Sequence, residues 1–420
     1  MLGSGTEDTM RRERWTTFLA PAGCLALLGL AAGASAQPVT LSRFDFSFSN
    51  PGARSLGFGG AFAALADDAT AAYANPAGLV QLAEPEVSLE MRMWRRSPPH
   101  IAGGRVDGTP TGQGIDTHVG PLFQRNHSQD FGPSFASVVL PKGRWSFAFY
   151  GHRLAQFEDA TTSQGVFSGR SRSPALRETV DLSITSAGGA AGWRMTDRFS
   201  LGLGLVISDV SLRMQSSSYL PDGQDRFGPA TFLPSLLVST SRLTAEGTDV
   251  TLHAGVLARF GDQLTGSLFY RQGPEVDGGT TVSRGPSFPG PPSRNRAAFE
   301  VPDVAGAGLA WRLLGGSLTL ATEVDYVGYA GMLRGSSTVP AEHNAWEFHV
   351  GAEYALLRRS PILAVRAGTW IEKELVLFFP KEITHYSLGL GLAAPPWQLD
   401  LAGDVSDNAK TASLSAIYTF

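Results

Sequence analysis

Glu323 and Asp325 stand two residues apart, and so do Glu347 and His349. On an extended chain that spacing puts both members of a pair on one face. Paired carboxylates, or a carboxylate beside an imidazole, can move protons in general acid–base chemistry. The same pairs also suit the polar lining of a wall, which asks no special reactivity of them. The other chemistry-bearing residues give less. His100, His118, His127 and His152 lack the spacing of a metal site, so no metal and no cofactor is expected. Gly57-Phe58-Gly59-Gly60 is not a phosphate loop, because no strand precedes it and no Lys-Ser/Thr follows. Asp67-Asp68 could attract a cation, but a turn and a helix cap are enough to explain it. No Gly-x-Ser-x-Gly elbow is present, which weighs against an acyl hydrolase. Cys24 is the single cysteine, and it lies in a segment expected to be removed. The expectation is a protein that is not an enzyme, whose ionisable groups line a surface.

The balance of residues agrees. The 420 residues carry 34 Lys+Arg against 38 Asp+Glu, a formal charge of −4, so the basic excess of a nucleic-acid binder is missing. Charged residues are only 17%, and 49 residues are glycine. Both depart from ordinary soluble domains, at about 25% and about 7%. The only long apolar run is N-terminal. Arg11, Arg12 and Arg14 precede an apolar stretch of about fifteen residues, and Ala34-Ser35-Ala36 offers a small-x-small cleavage site. Residues 1–36 therefore read as a secretory signal peptide. Lipidation at Cys24 is disfavoured, since Pro21 stands where a lipobox wants Leu.

The elements that must position these groups are strands. In 344–357 the apolar residues Trp346, Phe348, Val350 and Tyr354 alternate with Glu347, His349 and Glu353. In 85–95, Val87, Leu89, Met91 and Met93 oppose Glu90 and Arg92. Such alternation means that one face meets an apolar phase and the other does not. Fourteen segments read this way: 85–95, 131–140, 144–155, 177–195, 198–214, 248–260, 263–273, 298–313, 317–330, 344–357, 361–373, 382–394, 397–405 and 411–420. Their connections alternate short and long, which is the signature of a transmembrane barrel. The fold class expected is all-β, a 14-stranded antiparallel transmembrane β-barrel over 85–420. Arg92 and Arg366 fall on the polar parity and so on the lumen side. In 198–214 the parity breaks: Leu201, Leu203, Leu205 and Ile207 are odd, whereas Val210, Leu212 and Met214 are even. A β-bulge near Ser208-Asp209 is the expected remedy.

Residues 37–84 do not read as strand. Asn50 to Leu79 runs NPGARSLGFGGAFAALADDATAAYANPAGL, a glycine-rich turn followed by two short helices. Asp68 is expected to cap the second, and Asn75-Pro76 fits an N-cap with Pro at N1. This stretch resembles the N-terminal hatch of the FadL/TodX family of outer-membrane long-chain fatty acid and hydrocarbon transporters. Weaker similarity continues through Val301-Pro302-Asp303, Val350 to Tyr354 and Val365 to Gly368. Tyr418 and Phe420 on an alternating last strand resemble the signal read by the barrel insertion machinery.

The resemblance implies a monomeric barrel in the Gram-negative outer membrane, among lipid and lipopolysaccharide, with both termini periplasmic and a small helical plug inside. A fatty acid or hydrocarbon is captured from outside and released sideways through a gap near a kink in the third strand. The Asn-Pro-Ala element of the hatch, here Asn75, Pro76 and Ala77, lies at the internal ligand site and gates the path. Gly151 is the candidate for the kink, since glycine in a strand often marks a bend. Arg92 and Arg366 are the candidate partners of a ligand carboxylate. A second role is also open, a barrel of this type serving as a docking or shuttle protein in secretion.

Overall fold

The computed structural model describes residues 50–223, 225–334, 344–374 and 381–420. The expected signal peptide, 1–36, and the start of the expected hatch lie outside the described residues.

Fourteen antiparallel strands close into a barrel. They are β1 Glu86–Arg96, β2 Ser128–Lys142, β3 Trp145–Ser163, β4 Ala175–Arg194, β5 Phe199–Tyr219 and β6 Leu237–Phe260. β7 runs Leu264–Arg271 and resumes at Glu275–Arg284; β8 runs Ser293–Glu300 and Val304–Leu313; β9 runs Leu318–Val327 with Leu333–Arg334. Then follow β10 Ala345–Ala355, β11 Ile362–Glu374, β12 Lys381–Ala394, β13 Trp397–Val405 and β14 Ala409–Thr419. Each strand pairs with its neighbour in sequence. β14 closes on β1 along its whole length, from Thr419 opposite Glu86 to Ala409 opposite Arg96. Closure matters because hydrocarbon offers no partner to an open strand edge.

The facing follows the sequence parity at the short-turn end. Val87, Leu89, Phe348, Val350, Leu399 and Leu401 are exposed on the outer wall, while Glu90, Arg92, Glu347, His349 and Asp400 are buried inside. Aromatic side chains mark this end. Trp145 stacks on Trp193 at 5.7 Å, and Trp397, Tyr418 and Phe420 form a second group. Rings in such positions suit a membrane interface.

Several strands run past their expected ends, and β6 reaches 24 residues. The cause lies in the parity break of β5. The bulge expected at Ser208-Asp209 is absent, and β5 pairs without interruption there with both β4 and β6. Leu203, Leu205 and Ile207 point out, Asp209 and Arg213 point out, and Val210, Leu212 and Met214 point in. The strand keeps its phase and its surroundings change. β4 and β6 repeat the inversion, with Leu182, Ile184 and Leu243 inside and Asp181, Arg242 and Glu246 outside.

Residues 50–84 fold inside the barrel as helix α1 Ala53–Gly57, helix α2 Ala71–Ala74 and a 3-10 helix Pro76–Gln81. Phe58, Phe62, Leu65 and Leu79 are fully enclosed. Asp68 does not cap α2, whose first turn begins too late for it; its Oδ1 accepts instead from the N–H and hydroxyl of Thr70, at 2.9 and 2.5 Å. The hatch meets bare backbone where it touches the wall. A Cβ at Gly202 would fall on the Ala77 nitrogen, and one at Gly255 on the Asn75 carboxamide oxygen. Glycine there permits backbone-to-backbone approach.

At the long-loop end, Pro99–Asp107, Gly120–Arg125, Phe167–Ser168 and Ser171–Arg172 make a separate four-stranded sheet. Buried Arg105 clasps buried Asp116 with two hydrogen bonds of 2.9 and 2.6 Å.

Candidate functional site

Above the hatch the inverted inner faces of the strands meet as one apolar cluster. It includes Phe157, Leu182, Ile184, Leu212, Leu243 and Phe299. Ala63 of the hatch belongs to the same cluster, so the plug forms its floor. An apolar interior of this kind favours apolar groups, since each CH₂ moved out of water gains about 0.8 kcal/mol.

The floor is pinned at Asn75, which is fully buried. Its Oδ1 accepts the Ala77 N–H at 3.1 Å, and Pro76 occupies the first helical position, as the local sequence predicts. Its Nδ2 donates to Ala63 O at 3.0 Å inside the hatch and to Val256 O at 3.3 Å on β6. One side chain thus ties the Asn75-Pro76-Ala77 turn both to the plug and to the wall.

The two expected cations are inside the barrel, but each already has acidic partners. Arg92 lies 2.6 Å from Glu90, donates to Asn50 O at 3.3 Å and sits over the Trp94 ring. Arg366 donates to Glu353 and Asp400, both at 2.6 Å. It faces the hatch near Gly57 and, with Glu353, joins the wall to Arg54 of α1, which also holds Asp67. Arg312 takes the other oxygen of Asp67 at 3.1 Å. The Asp67-Asp68 pair is therefore neutralised by protein cations. Glu323 accepts the Ala63 N–H at 2.7 Å, and Glu347 takes the Tyr329 hydroxyl at 3.0 Å. One carboxylate of each pair is thus engaged structurally, Glu323 by the hatch and Glu347 by the wall.

The wall is broken between β2 and β3. Their pairing stops at Phe135 opposite His152. Beyond it β3 continues only with β4, and β2 only with β1. Gly151, expected to kink the third strand, is regular: it lies opposite Ala136 and Ala187 and faces outward. The irregularity lies three residues on, where Leu154 is the extra residue against β4. Ser134 is the matching extra residue of β2 against β1. Two bulges facing each other end the ladder, and Pro133 brings no N–H with which to resume it. The opening is bounded above by Asn126, which donates to Asp159 and Ala160 O at 3.1 and 2.8 Å. From His152 to Asp159 that is roughly 20 Å of strand at 3.3 Å per residue. A cavity of about 570 Å³ fills it, lined by Trp94, Arg96, Gln129, Asp130, Phe157 and Glu158 among others. Phe157 belongs also to the apolar cluster, so the cavity abuts it. A single ion pair crosses the break among the described residues: Arg153 Nη2 to Asp130 at 2.9 Å, without hydrogen-bond alignment.

No protein-family model matches the sequence, and no curated protein matches it either. Solved structures do. A Pseudomonas aeruginosa FadL homologue superposes with a TM-score of 0.64 at 16% identity, covering 90% of this chain and 99% of that one. The fold is that of the FadL and TodX channels. The toluene transporter TodX of P. putida gives 0.62 at 15% identity over 89% and 99%, and the monoaromatic hydrocarbon channel CymD gives 0.58 at 15% over 90% and 99%. In this FadL/TodX fold, sequence reasoning had placed the hatch turn but missed two features. Pro133 inside an otherwise regular strand was the available signal for the wall break. Arg271, on the inner parity of β7 with Ser267 and Phe269, was readable by the same alternation that placed Arg92.

Proposed function

We propose that the chain is a Gram-negative outer-membrane channel for passive uptake of hydrophobic small molecules, with long-chain fatty acids or hydrocarbons as the ligand class. The molecule is captured at the long-loop end, held in the apolar chamber and released sideways between β2 and β3 into the bilayer. The hatch turn Asn75-Pro76-Ala77 gates the route, and no covalent step takes part. The observation that carries this reading is the coincidence of an apolar cluster inside the barrel with a break in the wall beside it. A tail leaving such a chamber through the wall never crosses water. The structural neighbours FadL homologue, TodX and CymD, the last two a toluene transporter and a hydrocarbon channel, support the same class.

The test bridges the break. Asp130→Cys with Arg153→Cys, joined by a bifunctional maleimide in intact cells, should stop uptake of a radiolabelled long-chain fatty acid at unchanged surface expression. The single-cysteine variants treated identically should keep it. Full uptake by the bridged protein would overturn lateral release. Deletion of Asn75-Pro76-Ala77 tests the gate in the same assay; uptake equal to wild type would remove the hatch turn from the route.

A further inference from the structure

One patch of the outer wall combines an apolar cleft with unpaired cations at its mouth. Along β11, β12 and β13 the register sets Val365, Leu390 and Leu401 side by side in one row and Leu363, Leu392 and Leu399 in the next. All six side chains are exposed on the outer face, and a cavity of about 590 Å³ lies among them. Its lining reaches from β10 to β14. At about 4.8 Å between neighbouring strands the cleft is roughly 19 Å across. An acyl chain lying in such a cleft meets wall atoms on several sides, whereas on a smooth wall it meets them on one.

Toward the short turns the cleft runs into the turn between β10 and β11. The Leu356 N–H donates to Leu363 O at 2.8 Å, which starts that turn beside the second row. Arg358 and Arg359 form its tip. Both are exposed, and among the described residues neither side chain has an acidic partner. The turns on either side, Leu314-Gly315-Gly316 and Pro395-Pro396, carry no charge. Trp397, exposed and two residues before Leu399 on the same face, marks the level of the membrane interface. At another basic turn, Lys142-Gly143-Arg144, the wall beside the cations carries the stacked rings of Trp145, Phe147 and Trp193. The guanidinium fork matches phosphate oxygens, and paired basic residues at a bilayer surface favour a lipid of net negative charge over a zwitterionic one.

We propose that this patch is a seat for one anionic phospholipid of the leaflet at the short-turn end. Arg358 and Arg359 take the phosphate, and the leucine cleft takes an acyl chain. The seat lies outside the barrel, so it is independent of what the lumen carries.

Native mass spectrometry of the full-length protein released from detergent tests it. Phosphatidylglycerol and phosphatidylcholine with the same acyl chains are added in equal amounts. The wild type should retain phosphatidylglycerol roughly tenfold more often. Arg358→Gln with Arg359→Gln should bring the ratio near one. Lys142→Gln with Arg144→Gln, the same loss of charge at a different turn, should leave it unchanged. Val365→Trp, which fills the cleft, should lower retention of both lipids, and inorganic phosphate at the concentration of the lipid should displace neither. Equal retention by the wild type, which needs no variant to fold, overturns the seat. A preference that survives the arginine variant, or falls equally in both charge variants, overturns Arg358 and Arg359 as its source. Unchanged retention by Val365→Trp, or displacement by phosphate, removes the cleft from the binding and overturns the seat.

Discussion

The two halves of β5 differ more from each other than either differs from its neighbours. Toward the short turns, Leu203, Leu205 and Ile207 face out and Ser200 and Ser208 face in. Toward the long loops, Asp209 and Arg213 face out and Leu212 and Met214 face in. One unbroken strand thus wears opposite coats on the same face. Below the change the outer wall meets hydrocarbon and the lumen is polar; above it the outer wall meets water and the lumen is greasy. The change in alternation marks the level at which the medium outside is exchanged, and the apolar inner cluster begins there.

The largest test of this contrast is a charge on the outer wall at two levels. Leu205→Arg should cost about 2–4 kcal/mol, the penalty for arginine facing mid-bilayer lipid. Ser211→Arg, higher on the same face, should cost almost nothing. Urea titration of each variant folded into liposomes reads the difference, and equal costs would erase the boundary.

The inner face should respond in the opposite sense. Leu212→Ala removes a fully buried chamber side chain and should cost about 2 kcal/mol or more. Ser208→Ala, two steps of the alternation lower, removes a single hydrogen bond of 2.8 Å to Ser186 and should cost about 1 kcal/mol. The same titration measures both.

A smaller effect belongs to the floor. Asn75→Ala deletes a cap and should cost about 1 kcal/mol from the cap alone. Faster hydrogen exchange at the amides of residues 76–81 should accompany it; unchanged exchange would detach Asn75 from the stability of the turn.

The smallest effect lies in the separate sheet at the long-loop end, outside the membrane-spanning wall. The hydrogen bonds from Arg105, then those from Thr111, hold the Asp116 carboxyl well below its usual range. A lowered folded pKa contributes stability that is present above the unfolded value, about 3.9, and is lost as pH falls below it. Protease nicking of this sheet should therefore be rare at neutral pH and rise in strong acid. Asp116→Asn should raise nicking at neutral pH and flatten its dependence on pH. A wild type equally resistant at both ends of the range would show that the clasp does not hold the sheet.

Much of this was readable beforehand. The alternation around Trp346 to Tyr354 and Val87 to Trp94 gave the strands and their facing, because hydrocarbon on one side selects side chains two residues apart. Asn75-Pro76 gave its own cap, since capping needs only neighbours in the chain. The inversion in β5 was visible as a pattern yet misread as a bulge, because alternation reports that the two faces differ without reporting which phase each one meets.

Sequence by itself determined what local chemistry can determine: the number of strands, their period, the hatch turn and the polar parity of Arg92 and Arg366. Only the tertiary structure decided which cations are spent. Arg366 is held by Glu353 and Asp400, thirteen and thirty-four residues away. Arg271 donates instead to the Asn50 carboxamide of the hatch at 2.7 Å, although both arginines look alike along the chain. It also decided that the wall opens above Phe135 and His152, since a missing ladder is a property of two strands and neither strand carries it alone. Pairing and charge compensation act through space, between residues that chain order does not bring together.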